Sequence, residues 1–276
     1  MIKKLKLFSC LIVGISFLVG LSSCSIQKLF NRKVVNEIEN RYIDYSVDIT
    51  VEDLEEALMT SSDIAQSCSV GVKVTSRGLL SKMDSTRSGV IIKRKQLENQ
   101  RYQYYVVTNR HVVDKSGAPH LQIYLGEERK YQDASIIALD DQNDLALVSF
   151  VSPFLLATAT ISTTPPKVGQ FGIVVGCPYH LENYYNTVTC GIISAPSRYH
   201  KEEDANGHTV QNEYIQHDAS INSGNSGGGL FDIHGQLMGI NTWKVVGDAN
   251  DKIEGLSFAI PAKYIEETFQ IYLNEA

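Results

Sequence analysis

The sequence predicts an all-β protein made of two small antiparallel barrels, with a short helix before them and a helix after them. Three observations carry this. Short apolar runs of β type, punctuated by Gly, Pro, Asn and Asp, recur from residue 70 to residue 260. They fall into two successive groups of about six, parted by a stretch rich in Thr, Ala and Pro from Pro153 to Lys167. Helical spacing is confined to the segment after Thr50 and the segment after Pro261.

Taken in order, the chain opens with Lys3, Lys4 and Lys6 ahead of an apolar run from Leu7 to Leu21, broken only by small residues. This is the layout of a secretory signal, predicted over 1–23. The run is short for a membrane span, which needs ~20 apolar residues. It ends in Leu21-Ser22-Ser23-Cys24, which resembles the lipobox of bacterial lipoproteins. That resemblance implies cleavage before Cys24, a lipid on its thiol, and a mature chain held outside the cytoplasm on a membrane, since two or more acyl chains anchor stably. Residues 24–49 are polar and weakly patterned, and read as a tether.

Thr50 with Asp53 three residues on resembles a capping box, and Leu54, Ala57, Leu58 and Ile64 follow at roughly helical spacing, so a short helix is expected before the strands. The first strand group comprises Val70–Val74, Gly89–Lys93, Tyr104–Thr108, Leu121–Leu125, Ala134–Leu139 and Leu145–Phe150. The second comprises Phe171–Val175, Thr187–Ile193, Tyr214–His217, Gly229–Asp232, Gln236–Asn241 and Leu256–Ile260. Barrels over about 67–152 and 168–261 follow, within a domain from 50 to 276. Pro261 begins the first turn of a helix over 262–274. The polar stretches Ser197–Asn212 and Gly247–Gly255 are expected as surface loops.

Composition narrows the function. With 43% hydrophobic and 20% charged residues among 276, the chain can bury a full core. Its formal charge of -6 and the absence of a long basic block argue against nucleic acid as a partner. Of five cysteines, Cys10 lies in the leader and Cys24 at its end. A bridge between Cys177 and Cys190 fits one hairpin, but the spacing does not demand it, so Cys68, Cys177 and Cys190 are expected as mostly buried free thiols. The histidines outside the motifs below lack metal-ligand spacing, and the spacing of Asp248, Asn250, Asp251 and Glu254 does not fit a calcium loop. Neither a metal nor a cofactor is predicted.

The chemistry concentrates in three segments. Gly224-Asn225-Ser226-Gly227-Gly228 surrounds a serine with glycines that permit a sharp turn, exposing the hydroxyl and aiming neighbouring N–H groups at one point. Val106-Val107-Thr108-Asn109-Arg110-His111 places an imidazole directly after an apolar strand. Asp144-Leu145-Ala146-Leu147-Val148 places a carboxylate at the head of another. A serine nucleophile, a histidine base and an orienting aspartate in the order His, Asp, Ser follow the chymotrypsin-type arrangement rather than that of α/β-hydrolases.

These segments, with Gln216-His217-Asp218-Ala219-Ser220-Ile221-Asn222-Ser223 before the serine, Gly239-Ile240-Asn241-Thr242, and Phe258-Ala259-Ile260-Pro261, resemble the trypsin-like proteases of the HtrA/Deg family over about residues 65–265. The resemblance implies a chymotrypsin-like double barrel and a serine endopeptidase acting on protein or peptide substrates, with self-association compatible with it. It covers a protease domain with no PDZ domain. It implies His111, Asp144 and Ser226 as triad, and Gly224, Asn225 and Ser226 at the oxyanion hole. Ser220 would lie at the base of the primary pocket, with Ile221 and Ile240 as its walls, and Asn241 to Trp243, Thr242 included, would align substrate as an added strand. Gly229 and His217 depart from the family's common proline and threonine. His217 is read as structural or exposed at the rim. The rival reading is a protease-fold binding module or holdase with weak turnover.

Overall fold

A computed structural model describes residues 50–77, 82–115, 119–126, 128–203, 209–246 and 253–275. The expected leader, Cys24 and the tether lie outside them. The chain divides into units 1–53 and 54–276, and of the first only 50–53 is described. There Thr50 and Asp53 form the predicted capping box: the Asp53 N–H donates to Thr50 Oγ1 at 3.1 Å and the Thr50 N–H donates to Asp53 Oδ2 at 2.8 Å. Helix α1 is Val51–Ser67. No helix among the described residues is long and apolar enough to cross a membrane.

The fold is the double barrel. Strands β1 (Ser69–Arg77), β2 (Lys82–Gln96), β3 (Tyr102–Asn109), β4 (His120–Leu125), β5 (Lys130–Asp140) and β6 (Leu145–Ser152) close in the order β1-β2-β3-β6-β5-β4. The second sheet holds β7 (Thr160–Ile161), β8 (Phe171–Gly176), β9 (Thr187–Glu203), β10 (Thr209–His217), β11 (Gly229–Phe231), β12 (Gln236–Lys244) and β13 (Ser257–Pro261). Its order is β11-β8-β9-β10-β13-β12-β7, and an extra pairing of β11 with β12 joins the ends of the run from β11 to β12. The short helices α2 (Arg110–Val113) and α3 (Leu181–Tyr184) interrupt the strands, and α4 (Lys263–Glu275) ends the described chain.

Period-two alternation explains the first barrel. Val70, Val72 and Val74 of β1 point inward with Ile91, Tyr104, Val106, Ile123, Val148 and Phe150. β3 and β6 are apolar on both faces because both are covered. Their other faces put Tyr105, Val107, Leu145 and Leu147 into a larger core with Ile173, Val175, Phe231, Ile240, Phe258 and Phe269. At ~1.5–3 kcal/mol per fully buried large aliphatic or aromatic side chain, this shared core holds β3 and β6 firmly against the second sheet.

Each strand expected from the sequence is present. Two features differ. Ser197–Asn212, read as a loop, is largely strand: β9 runs on to Glu203 and β10 begins at Thr209. The two strands pair from Tyr199 with Glu213 to Glu203 with Thr209, so polar side chains sit on a ribbon whose backbone groups satisfy each other. The second is β7, too short to leave a periodic signal, which pairs in parallel with β12.

Candidate active site

Strand pairing brings the predicted histidine and aspartate together. β3 and β6 are antiparallel neighbours with Asn109 opposite Leu145, so the residues just beyond these ends, His111 and Asp144, meet at one rim. Asp140 Oδ1 accepts from the N–H groups of Gln142 and Asn143, turning the chain into β6. Asp144 itself has φ +54°, a left-handed conformation that aspartate tolerates better than most residues.

The Asp144 carboxylate is well held. Oδ1 accepts from the His111 backbone N–H at 2.9 Å, and Oδ2 lies 2.7 Å from His111 Nδ1. Oδ2 also accepts from Thr242 Oγ1 at 3.2 Å, while the Asp144 carbonyl accepts from the Arg110 N–H at 3.0 Å and Asn109 Nδ2 at 3.2 Å. With the proton on Nδ1 directed at the carboxylate, Nε2 of His111 carries the free lone pair that a general base needs.

Ser226 reaches the same place from the other barrel. Its hydroxyl donates to the Thr242 carbonyl at 3.0 Å. Thr242 therefore touches the serine with its main chain and the aspartate with its side chain, a bridging role that its expected task, alignment of substrate, does not reveal.

The turn around Ser226 rests on glycines. Gly224 has φ +110° and Gly227 φ +86°, both unfavourable for residues with a Cβ. A Cβ on Gly224 would also press on the Tyr179 nitrogen (2.7 Å) and the Pro178 Cα (2.8 Å). The carbonyls on either side of Gly224 are pinned: Ser223 O accepts from the Tyr179 N–H at 2.8 Å, and Gly224 O accepts from Ser88 Oγ at 2.7 Å. Ser88, buried in β2, also accepts from the Cys177 N–H at 2.8 Å and donates its own N–H to Ser226 O at 3.1 Å. Nothing in the sequence singled out Ser88, because its role exists only once the barrels face each other.

Among the described residues, the N–H groups of Gly224 and Ser226 have no acceptor. Asn225 differs from expectation. Its N–H is spent on the Asn222 carbonyl at 2.9 Å and its side chain is buried, so it has no free donor to offer at the expected oxyanion hole.

The pocket residues separate. Ser220 is exposed and its carbonyl accepts from Thr189 Oγ1 at 2.9 Å. Ile221 is nearly covered and packs with Val174, Ile193 and Met238. Ile240 corrects the expectation: it is 0% exposed within the larger core and cannot line an open pocket. Its place between β11 and β13 turns its side chain inward.

Asn241 is also internal. Its N–H donates to Gly228 O and its carbonyl accepts from the Gly227 N–H, each at 2.8 Å, which leaves no main-chain group for a substrate. Its side chain spans Gly228 O (3.1 Å) and His217 Nε2 (3.0 Å). A bulge between Asn241 and Trp243 precedes the pairing of Trp243 with Phe258, and the Val245 N–H donates to Leu256 O. Ladder alternation then turns the main-chain groups of Thr242 and Lys244 away from β13. The open edge beside Ser226 thus belongs to Thr242 and Lys244.

His217 is structural rather than exposed at the rim. It is 0% exposed, and burial pushes its pKa from 6.5 down to about 4. Cys68, Cys177 and Cys190 are unpaired, as expected, but Cys190 is exposed. Burial raises the pKa of Cys68 to about 12 and that of Cys177 to about 11, so both are inert thiols.

Residues 87–240 match the trypsin-like peptidase domain, a span that includes His111, Asp144 and Ser226. The chain is 38% identical over 184 residues to the serine protease Do-like HtrA of Lactococcus lactis subsp. lactis, covering 66% of this chain and 43% of that protein. It is 34% identical over 202 residues to the periplasmic serine endoprotease DegP of Salmonella typhimurium, covering 72% and 38%. It is 39% identical over 159 residues to the periplasmic pH-dependent serine endoprotease DegQ of Escherichia coli, covering 57% and 32%. The chain thus spans less than half the length of these relatives.

Proposed function

We propose that this chain, which belongs to the trypsin-like peptidase family, is a serine endopeptidase that hydrolyses extracytoplasmic proteins through His111, Asp144 and Ser226. The observation that carries the reading is the convergence on Thr242 of a serine hydroxyl and an aspartate that orients a histidine.

In the reaction, the Ser226 hydroxyl turns from the Thr242 carbonyl to Nε2 of His111, which takes its proton as the oxygen attacks the peptide carbonyl. Asp144 holds the ring and stabilises the imidazolium. The Gly224 and Ser226 N–H groups receive the oxyanion, each worth ~3 kcal/mol of transition-state stabilisation. The imidazolium then protonates the leaving amine, and water activated by His111 releases the acyl group. The acyl half of the substrate pairs with the open edge at Thr242 and Lys244 as an added strand, and its last side chain enters beside Ser220 and Ile221.

Ser220 offers no carboxylate to a buried cation, so medium-sized aliphatic side chains are favoured before the cleaved bond. Serine protease relatives named as periplasmic support a site outside the cytoplasm, and the lipobox-like Leu21-Ser22-Ser23-Cys24 is the support for Cys24 as the lipid anchor. The test is hydrolysis of an unfolded protein by wild type and Ser226→Ala. Loss of all cleavage with an unchanged circular dichroism spectrum supports the reading; residual cleavage at the wild-type rate refutes it.

A further inference from the structure

Tyr179 is unusual on two counts that its surroundings do not explain. It has φ +63°, a conformation natural to glycine or asparagine and uncommon for an aromatic residue. The residue is 83% exposed. A bulky ring held in a strained conformation without core contacts is a local cost, and such residues cluster where they act.

Its position gives the ring a task. The segment Cys177-Pro178-Tyr179 lies directly behind Gly224, with the Tyr179 N–H on Ser223 O. Ser226 itself donates its hydroxyl to the carbonyl of Thr242, at the edge that runs toward Lys244. A peptide bond attacked by Ser226 has two halves. If the acyl half pairs along Thr242 and Lys244, the departing half needs a different surface next to the Ser223–Gly224 turn, and the exposed ring of Tyr179 is joined to that turn through its own N–H.

We propose that the Tyr179 ring is a specificity element for the departing half of the substrate, stacking on an aromatic or large apolar side chain directly after the cleaved bond. The inference rests on the hydrolase reading above. An aromatic face is a large, rigid contact that needs no hydrogen-bond partner to gain from such a side chain. The Tyr179 backbone holds the oxyanion turn, which explains why a ring rather than a glycine at this strained position needs a separate reason.

The test uses two internally quenched peptides with one common acyl half, carrying Phe or Gly immediately after the cleaved bond. The readout is the ratio of their kcat/KM values within each variant, so any general loss from a disturbed turn cancels. Wild type is expected to prefer Phe by about tenfold, in the range of one hydrophobic contact. Tyr179→Phe should keep that ratio. Tyr179→Asn, which accepts a positive φ without the ring, should bring it within about twofold of unity.

An unchanged ratio in Tyr179→Asn, or no preference in wild type, would overturn the inference. Should Tyr179→Asn cleave neither peptide, Tyr179→Gly is read in the same way. If both are dead while Tyr179→Phe is active, the ring serves the oxyanion turn and not selection, which also overturns it. Failure of wild type to cleave either peptide, together with failure of a fluorophosphonate to label Ser226, refutes the hydrolase reading itself.

Discussion

His217 makes the fold sensitive to acid in a way that can be isolated by one substitution. Asn241 Nδ2 donates to Gly228 O, so Asn241 presents Oδ1 to His217 and the imidazole donates through Nε2. Nδ1 is then a buried lone pair without a partner among the described residues. Protonating the ring places a cation in a buried site, where the cost of desolvation outweighs the help of the Asn241 amide oxygen, the Asp218 charge and the Ala219 backbone. The adjacent carboxylate of Asp218 is exposed and accepts from the Ile192 N–H at 2.6 Å. Burial accordingly lowers the pKa from 6.5 to about 4.

In the unfolded chain His217 takes up its proton near 6.5, so between about 6.5 and 4 the unfolded state binds more protons than the folded one. Stability is complete above 6.5 and is lost as the pH falls toward 4. At 1.36 kcal/mol per unit, lowering the pH from 7.5 to 4.5 costs about 2.5 kcal/mol, a large part of the usual 5–15 kcal/mol total. Urea titrations read by Trp243, the single tryptophan, should show the midpoint of wild type falling by about 1 M relative to His217→Gln, which retains an N–H donor but does not titrate. Carboxylates titrating in this range affect both proteins alike. Parallel loss in the two proteins would refute the reasoning.

Thr242→Val removes a hydrogen bond to the Asp144 carboxylate while keeping the carbonyl that faces Ser226; kcat should fall about tenfold with little change in KM, the lower end of what one bond to a charged group is worth, and an unchanged kcat would contradict its bridging role. Ser220→Asp places a carboxylate at the expected pocket base, and cleavage of a peptide library should shift toward Arg or Lys before the cut; an unchanged library profile would remove Ser220 from the pocket. Cys24→Ser should move the protein from the membrane fraction to the soluble fraction, and unchanged membrane retention would reject the lipid anchor.

How much of this was legible depended on whether a feature is local. The strands of both barrels show in the sequence because alternation is a property of neighbours, and Val70, Val72 and Val74 declare one face by themselves. The residues proposed as catalytic are legible for a similar reason: a serine among glycines, and a histidine and an aspartate at the ends of apolar strands, each mark their own segment. Ile240 and Asn241 misled because a bulge of one residue reverses which side chains and main-chain groups face outward. Motif spacing does not register that slip. Tyr179 is not legible for a different reason: nothing about a tyrosine marks it for a positive φ, and the preceding Pro178, which favours a turn, is the local hint.

Ser88 shows why the two barrels must act together. The turn around Ser226 belongs to the second barrel, yet its carbonyls at Gly224 and Ser226 are held by the side chain and main chain of one serine in β2 of the first. Thr108, at the end of the strand that leads to His111, donates through Oγ1 to the Ser88 carbonyl at 2.8 Å. The brace behind the serine and the strand behind the histidine are therefore linked through a single buried residue. A displacement of one barrel against the other would disturb the direction of the Gly224 N–H and the approach of His111 to Ser226 at once. The apolar core shared by β3, β6 and the second sheet, far larger than the site needs for its own packing, is what keeps that displacement small.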